Sequence, residues 1–292
     1  MALLPSGGYA LMGILNVTPD SFSDGGRYLD AAAAIEHGVE MVREGAAIID
    51  VGGESTRPGA EPVAAQEQMR RVLPVIEGLA GRVPGTEVSI DTADATVAAA
   101  ALNAGASILN DVTALRGDPE MAVVVAQTGA HCCLMHMLGE PRTMQREPRY
   151  RDVVSEVKFF LEERMVYAIS AGIAEQKLLL DPGIGFGKTV EHNLELLRRL
   201  PEIAELGRPL VIGTSRKSFL GRLAADAAGA EQPIEVSQRL PGTIATNVLA
   251  LERGASVFRV HDVAPARDAL AVAAATLGRE WTSTSMSPQR TT

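Results

Sequence analysis

Residues able to act as acids, bases, amide ligands and anion binders recur along this chain, each directly after a short apolar run. They read Ile14-Leu15-Asn16, Ile49-Asp50 leading into Gly53-Glu54-Ser55-Thr56-Arg57, Ser89-Ile90-Asp91-Thr92, Leu109-Asn110-Asp111, Leu134-Met135-His136, Leu180-Asp181-Pro182-Gly183, Gly213-Thr214-Ser215-Arg216-Lys217 and Arg259-Val260-His261-Asp262. Two chemistries separate by residue type. Asp181 suits a ligand rich in N–H donors, and the glycines after it let the backbone approach that ligand. Arg57, the Ser215-Arg216-Lys217-Ser218 cluster and the Arg259/His261 pair suit an anion, and alternation along a strand puts residues 259 and 261 on one face. The Asp181–Thr189 segment has the outline of a phosphate loop, but that pattern needs a glycine where Pro182 stands, so a nucleotide reading is rejected.

No Cys/His spacing supports zinc. A hard cation held by Asn16 together with phosphate oxygens fits the residue types better. His37 and His192 fall in helical stretches and read as surface residues. His131 begins an apolar run and His136 ends it, either reaching a ligand or serving as a satisfied core histidine. Met135 and Phe186 either line a flat aromatic ligand or pack as ordinary core.

Such residues need one frame to bring them together. Eight apolar runs, near 9–15, 46–51, 86–91, 106–110, 130–136, 177–181, 209–213 and 256–261, show little alternation, as expected of parallel strands buried on both faces. Helical patterns fill the gaps at 31–44 (with Asp30 as N-cap), 62–79, 94–103, 119–128, 151–171, 190–205, 219–226, 236–253 and 264–277. The expected fold is α/β, a single-domain (β/α)8 TIM barrel over 1–278 with a disordered tail at 279–292. In that architecture catalytic groups sit on the rim made by the strand C-terminal ends. An open doubly wound sheet is the alternative, but it has no need of ligand groups at every strand end. The long Gly- and Pro-containing connections Asn16–Tyr28 and Gly52–Glu61 lie on the expected active rim.

The chain has 292 residues, 46% of them hydrophobic, which is enough for one large barrel core. The net charge of −9 argues against a general nucleic-acid or membrane-surface protein. No run of 18 apolar residues exists, and no basic leader precedes Arg27, so neither a membrane span nor a secretory signal is expected. The only cysteines, Cys132 and Cys133, are adjacent in an expected strand and point to opposite faces, which fits reduced thiols in a cytoplasmic protein.

The segment Gly13-Ile14-Leu15-Asn16-Val17-Thr18-Pro19-Asp20-Ser21-Phe22-Ser23-Asp24-Gly25-Gly26 resembles the first signature of the dihydropteroate synthases, and Asp50-Val51-Gly52-Gly53-Glu54-Ser55-Thr56-Arg57-Pro58-Gly59 resembles the second. Asp91-Thr92, Asn110-Asp111, Met135-His136, Asp181-Pro182-Gly183, Ser215-Arg216-Lys217 and Arg259-Val260-His261-Asp262 follow in the family's order, from about residue 9 to 265. Ala93-Asp94-Ala95 departs from it, since many relatives carry a basic residue near 94. The resemblance implies a Mg2+-dependent transferase joining 6-hydroxymethyl-7,8-dihydropterin pyrophosphate to p-aminobenzoate, with dihydropteroate and pyrophosphate as products. It implies that Asp91, Asn110, Asp181 and Lys217 hold the pterin between Met135 and Phe186, and that Asn16 is the Mg2+ ligand. Thr56, Arg57, Arg259 and His261 are then expected on the pyrophosphate, and Ser218, Pro58 and Phe22 on the aminobenzoate. The resemblance also implies a pterin methylene cation with Asp91 and Asp24 expected near it, and Lys217, Arg259 and His261 expected to stabilise the leaving group. A cytoplasmic homodimer inhibited by sulfonamides is expected, with neither nucleic acid nor membrane as partner. Aminobenzoate or a sulfonamide is expected to bind only once pyrophosphate has ordered the two long loops. Two rivals are a folate-binding methyltransferase barrel, which has no reason for the Ser-Arg-Lys and Arg-x-His anion set, and a non-catalytic pterin-binding relative, which would show decay of the two loop signatures.

Overall fold

The computed structural model describes residues 8–18, 27–55, 61–140 and 142–279. Its strands are Ala10–Asn16 (β1), Ile48–Gly52 (β2), Glu87–Asp91 (β3), Ile108–Asp111 (β4), His131–Met135 (β5), Leu178–Asp181 (β6), Val211–Ile212 (β7) and Val257–Val260 (β8). All pair in parallel in the order β6-β5-β4-β3-β2-β1-β8-β7. The two ends meet where Leu180 bridges Leu210 and the Leu180 N–H donates to the Pro209 carbonyl at 3.0 Å. The sheet therefore closes into a barrel, and the open-sheet alternative is excluded.

Side-chain alternation divides each strand between two cores. Met12, Ile48, Ile108, Cys133, Leu179, Val211 and Val257 pack inside the barrel. Leu11, Leu15, Ile49, Val51, Leu109, Cys132, Leu134, Phe258 and Val260 pack outward against the helices. Each such buried aliphatic side chain contributes about 1.5–3 kcal/mol. Cys132 and Cys133 fall in different cores as free thiols, as their adjacency requires.

The surrounding helices are Arg27–Arg43 (α1), Ala65–Arg82 (α2), Ala95–Asn103 (α3), Met121–Thr128 (α4), Val153–Ser170 (α5), Val190–Arg198 (α6), Leu200–Ala204 (α7), Ser218–Ala227 (α8), Leu240–Glu252 (α9) and Val263–Thr276 (α10). Asp94 caps α3, its carboxylate accepting from the N–H groups of Thr96 and Val97 at 2.8 and 3.0 Å. The departure from the family pattern at 94 thus falls on a helix cap. Three helical expectations need correction. The first helix already runs at Arg27, so Asp30 is not its cap. The span 190–205 is broken at Arg199, because Pro201 lacks an N–H and fits only a new first turn. Likewise Pro241 stands in the first turn of α9, and Val236–Gln238 form a separate 3-10 turn. Among the described residues no helix is long and apolar enough to cross a membrane. Of the expected tail, residues 280–292 lie outside the described residues.

Candidate active site

Strand register carries the polar residues to one rim. Asn16 pairs with Gly52, Gly52 with Asp91, and Asp91 with Asn110, so four strand ends stand in a row. Across the barrel Met135 pairs with Asp181. A cavity of ≈ 470 Å3 opens there, lined in part by Asn16, Ser55, Asp91, Phe186, Ser215, Lys217, Ser218, Arg259 and His261. Beneath it a narrow space of ≈ 20 Å3 is walled by Asp91, Asn110, Met135, Asp181, Phe186, Lys217 and Arg259, with others. The residues to which the resemblance gave substrate, leaving-group or metal roles, where they lie within the described residues, border one of these two spaces. Phe22, Asp24, Thr56, Arg57 and Pro58 lie outside the described residues.

The floor is acidic and buried. Asp50 is fully buried, and Asp91, Asn110 and Asp181 are 8%, 5% and 6% exposed. Arg259 joins this floor: its Nε donates to Asp50 Oδ2 at 2.6 Å and its Nη2 to Asp91 Oδ2 at 2.8 Å. Asn110 Nδ2 donates to the same Asp50 oxygen at 3.0 Å. Burial pushes the Asp91 carboxyl up to about 7, against the pull of Arg259 and with the help of Asp50. Asp181 is also raised by burial, while the Gly183 N–H that donates to its Oδ1 at 2.6 Å, and Lys217, favour its charge. Burial brings Lys217 down to about 8, with Arg259 acting in the same direction. Lys217 Nζ sits 4.0 Å from the centroid of the Phe186 ring, a cation–π contact.

The rim is built by two loops clamped together. Ser215 Oγ lies 2.9 Å from His261 Nδ1 and accepts from the His261 backbone N–H at 3.2 Å. Arg216 occupies the left-handed region (φ 58°), a conformation that costs about 1–3 kcal/mol for a residue with a side chain. Its fork donates to both Asp262 oxygens, at 3.0 and 2.6 Å, and Arg239 Nη1 donates to its carbonyl at 3.1 Å. That turn sends Ser215 toward His261 and Lys217 toward the floor.

Other expected residues separate. Asp111, next to Asn110, faces away from the barrel, and its carboxylate accepts from Thr113 N–H and Oγ1 and from Leu115 N–H, all at 2.7 Å. His136 borders neither space. It is a buried histidine beside Lys188, with its ring edge-on to Phe160. His192 is half-buried rather than on the surface, because it forms the capping box of α6 with Thr189. Asp50, Asp262 and Lys188 were not singled out for roles by sequence reasoning, and Ser215 and Arg216, expected in the anion-binding cluster, also hold His261 and Asp262. Asp50 was the most accessible of these, since it ends an apolar strand and its alternation points inward.

Asn16 is the metal ligand expected from the sequence. Among the described residues no group of three or more His, Cys, Asp or Glu side chains can hold a metal. A Cβ at Gly52 would lie 3.5 Å from Asn16 Oδ1 and 3.6 Å from Asp91 Cβ, so the glycine leaves an open cradle beside the amide oxygen. One protein oxygen with room around it fits Mg2+, which keeps waters and binds through substrate phosphates.

Comparison with known proteins agrees with this geometry. The pterin binding enzyme family matches residues 12–261. Dihydropteroate synthase of Mycobacterium leprae is 49% identical over 268 residues, covering 91% of this chain and 93% of its own, and that of Escherichia coli K12 is 46% identical over 267 residues, covering 91% of each. Dihydropteroate synthase of Yersinia pestis, solved with a sulfonamide drug, superposes with a TM-score of 0.87 at 42% identity, covering 94% of this chain and 96% of its own. The enzyme of Xanthomonas albilineans, solved with 4-aminobenzoic acid, gives 0.85 at 45% identity over 94% of each chain. The same enzyme with 7,8-dihydropteroate gives 0.81 at 42% identity, covering 94% of this chain and 95% of its own. From its barrel and rim to its near-complete match with these relatives, the chain belongs to the dihydropteroate synthases, pterin-binding transferases of folate biosynthesis.

Proposed function

We propose that the chain condenses 6-hydroxymethyl-7,8-dihydropterin pyrophosphate with p-aminobenzoate, giving 7,8-dihydropteroate and pyrophosphate, and that Mg2+ accompanies the pyrophosphate. The observation that carries this reading is the continuity of the acceptor floor of Asp91, Asn110 and Asp181 with the basic rim of Lys217, Arg259 and His261. A pterin edge presents several N–H donors, and a carboxylate offers about four lone-pair sites, so Asp181 can serve Gly183 and the pterin together. Met135 and Phe186 flank the flat ring, with Asp91, Asn110 and Lys217 on its polar atoms. Arg259 and His261, with Thr56 and Arg57, take the pyrophosphate. Ser218, at the exposed start of α8, takes the aminobenzoate with Phe22 and Pro58.

No side chain acts as a nucleophile. The bond between the pterin methylene carbon and the pyrophosphate oxygen breaks, and its electron pair leaves on the oxygen. The aryl amine nitrogen bonds to the methylene and then loses its extra proton to solvent. Lys217, Arg259 and His261 face the growing negative charge, and preorganised donors at that place lower the barrier. Asp91 stabilises the positive methylene, and the sequence resemblance assigns Asp24 the same role. The remaining gain is positioning of two reactants in one cleft. Asn16 would hold Mg2+, which when bound supplies charge neutralisation on the pyrophosphate.

The ligands of the solved relatives, 4-aminobenzoic acid, 7,8-dihydropteroate and a sulfonamide drug, support the substrate reading and competition by sulfonamides at the aminobenzoate position. The buried free thiols support a reducing, cytoplasmic setting. A homodimer belongs to the same reading and rests on the sequence resemblance to the family. The test is turnover of the two substrates with Mg2+, with the product identified by mass. Absence of dihydropteroate in that mixture contradicts the proposal.

A further inference from the structure

Two buried titratable groups beside the pocket take no part in the chemistry above: Lys188, 3% exposed, and His136, 5% exposed. Lys188 closes the loop between β6 and α6, and His136 follows the last residue of β5. Lys188 Nζ lies 3.0 Å from His136 Nδ1, donates to the Phe186 carbonyl at 2.9 Å and reaches the His136 carbonyl at 3.5 Å. A lysine amine carries up to three N–H donors, and three acceptors surround this one. Burial and the cations Lys188 and Arg116 keep the His136 ring neutral, so Nδ1 accepts and Nε2 carries the proton. An apolar side chain would fill the same space without the desolvation cost of an amine.

The segment tied down in this way is the pocket wall. Gly183, Gly185 and Gly187 all take left-handed conformations, φ 69°, 82° and 64°, so local backbone preference does little to hold the loop. Gly183 lies so close to the end of β5 that a Cβ on it would fall 1.8 Å from the His136 carbonyl oxygen. The Phe186 ring that Lys217 covers hangs from the carbonyl unit that Lys188 holds.

We propose that Lys188, seated on His136, is a positioning residue for the pterin: by tying the Phe186 carbonyl to the end of β5, it sets Phe186 and Asp181 in place as one wall. This rests on the pterin reading of the pocket.

The test uses the full chain, with 6-hydroxymethylpterin as the calorimetric probe. Lys188→Met removes the donors, His136→Phe removes the acceptor, and His136→Asn returns an acceptor near the Nδ1 position. Lys188→Met and His136→Phe should each weaken pterin binding at least about tenfold, with no further loss in the double variant because the residues act as a pair. His136→Asn should bind within about threefold of the wild type, and the aminobenzoate KM should move less than about threefold throughout, since only the pterin wall is disturbed. Nitrogen-15 spectra should show a neutral, Nε2-protonated His136 whose Nδ1 resonance shifts in Lys188→Met. If Lys188→Met does not fold, the two His136 variants carry the same comparison. Wild-type pterin affinity in Lys188→Met or His136→Phe overturns the proposal. So does an equal rise of both substrates' KM together with a lower Tm, which marks a merely structural role. Failure of the wild type itself to bind the probe overturns the pterin reading, and this inference with it, before any variant is compared.

Discussion

Arg259 spans two strands to hold Asp91: its Nη2 meets Asp91 Oδ2 at 2.8 Å while its Nε is committed to Asp50 at 2.6 Å. A residue expected from the sequence only as an anion binder therefore also neutralises the floor on which the substrate rests. Arg259→Ala leaves Asp50 and Asp91 buried without their cation, a loss of about 3–5 kcal/mol in folding stability. Adding Asp50→Asn should recover part of it, because one uncompensated charge is removed. Urea denaturation of the single and double variants checks this, and a single variant as stable as the wild type would count against the shared ion pair.

The Ser215–His261 contact gives a smaller, more selective effect. Ser215→Ala removes the hydroxyl that holds His261 Nδ1, a loss of about 1 kcal/mol for one hydrogen bond, or roughly fivefold. It should appear in kcat/KM for the pyrophosphate-bearing substrate and leave binding of bare 6-hydroxymethylpterin unchanged. Equal loss for both ligands would place His261 away from the pyrophosphate.

The pH dependence follows from Asp91 and Lys217. The proposed chemistry needs Asp91 ionised and Lys217 protonated, so kcat/KM should rise through about pH 7 and fall through about pH 8. Asp50 raises the Asp91 pKa, so Asp50→Asn should move the acid limb to lower pH. Folding carries the opposite sign. The folded pKa of Asp91 lies above its ordinary 3.8, so its contribution to stability is complete below about pH 4 and is lost as the pH rises through about 7. Asp91→Asn should flatten that part of the stability curve. An acid limb that stays in place in Asp50→Asn would remove Asp91 as its source.

Asp181 is assigned to the pterin edge, where it already accepts from Gly183 N–H. Asp181→Asn replaces an acceptor with a donor at a buried contact, worth about 2–5 kcal/mol. Pterin affinity should fall at least about tenfold, the equivalent of 1.4 kcal/mol, with little change in Tm. Calorimetry with 6-hydroxymethylpterin checks it, and unchanged affinity contradicts the assignment.

Much of the rim was legible because a polar residue that ends a buried apolar run in a parallel barrel must emerge at the strand's C-terminal end. Asn16, Asp91, Asn110 and Asp181 all follow that rule, and simple alternation placed Arg259 with His261. Alternation applied to neighbouring residues would also have turned Asp111 outward from Asn110. The pairings that tune the site were not legible. Asp50 meets Arg259, Ser215 meets His261 and His136 meets Lys188 only after the barrel closes, and no local pattern records contacts 209, 46 and 52 residues apart. The helix breaks at Arg199 and Arg239 did carry a local signal, since Pro201 and Pro241 interrupt otherwise continuous apolar patterns.

The condensation assigned to this cavity is tested most directly by pyrophosphate release from a mixture of enzyme, Mg2+, pterin pyrophosphate and p-aminobenzoate, with each component omitted in turn. The expected result is one pyrophosphate for each dihydropteroate formed, lost when the aminobenzoate is left out. No release from the complete mixture, or equal release without aminobenzoate, would contradict it.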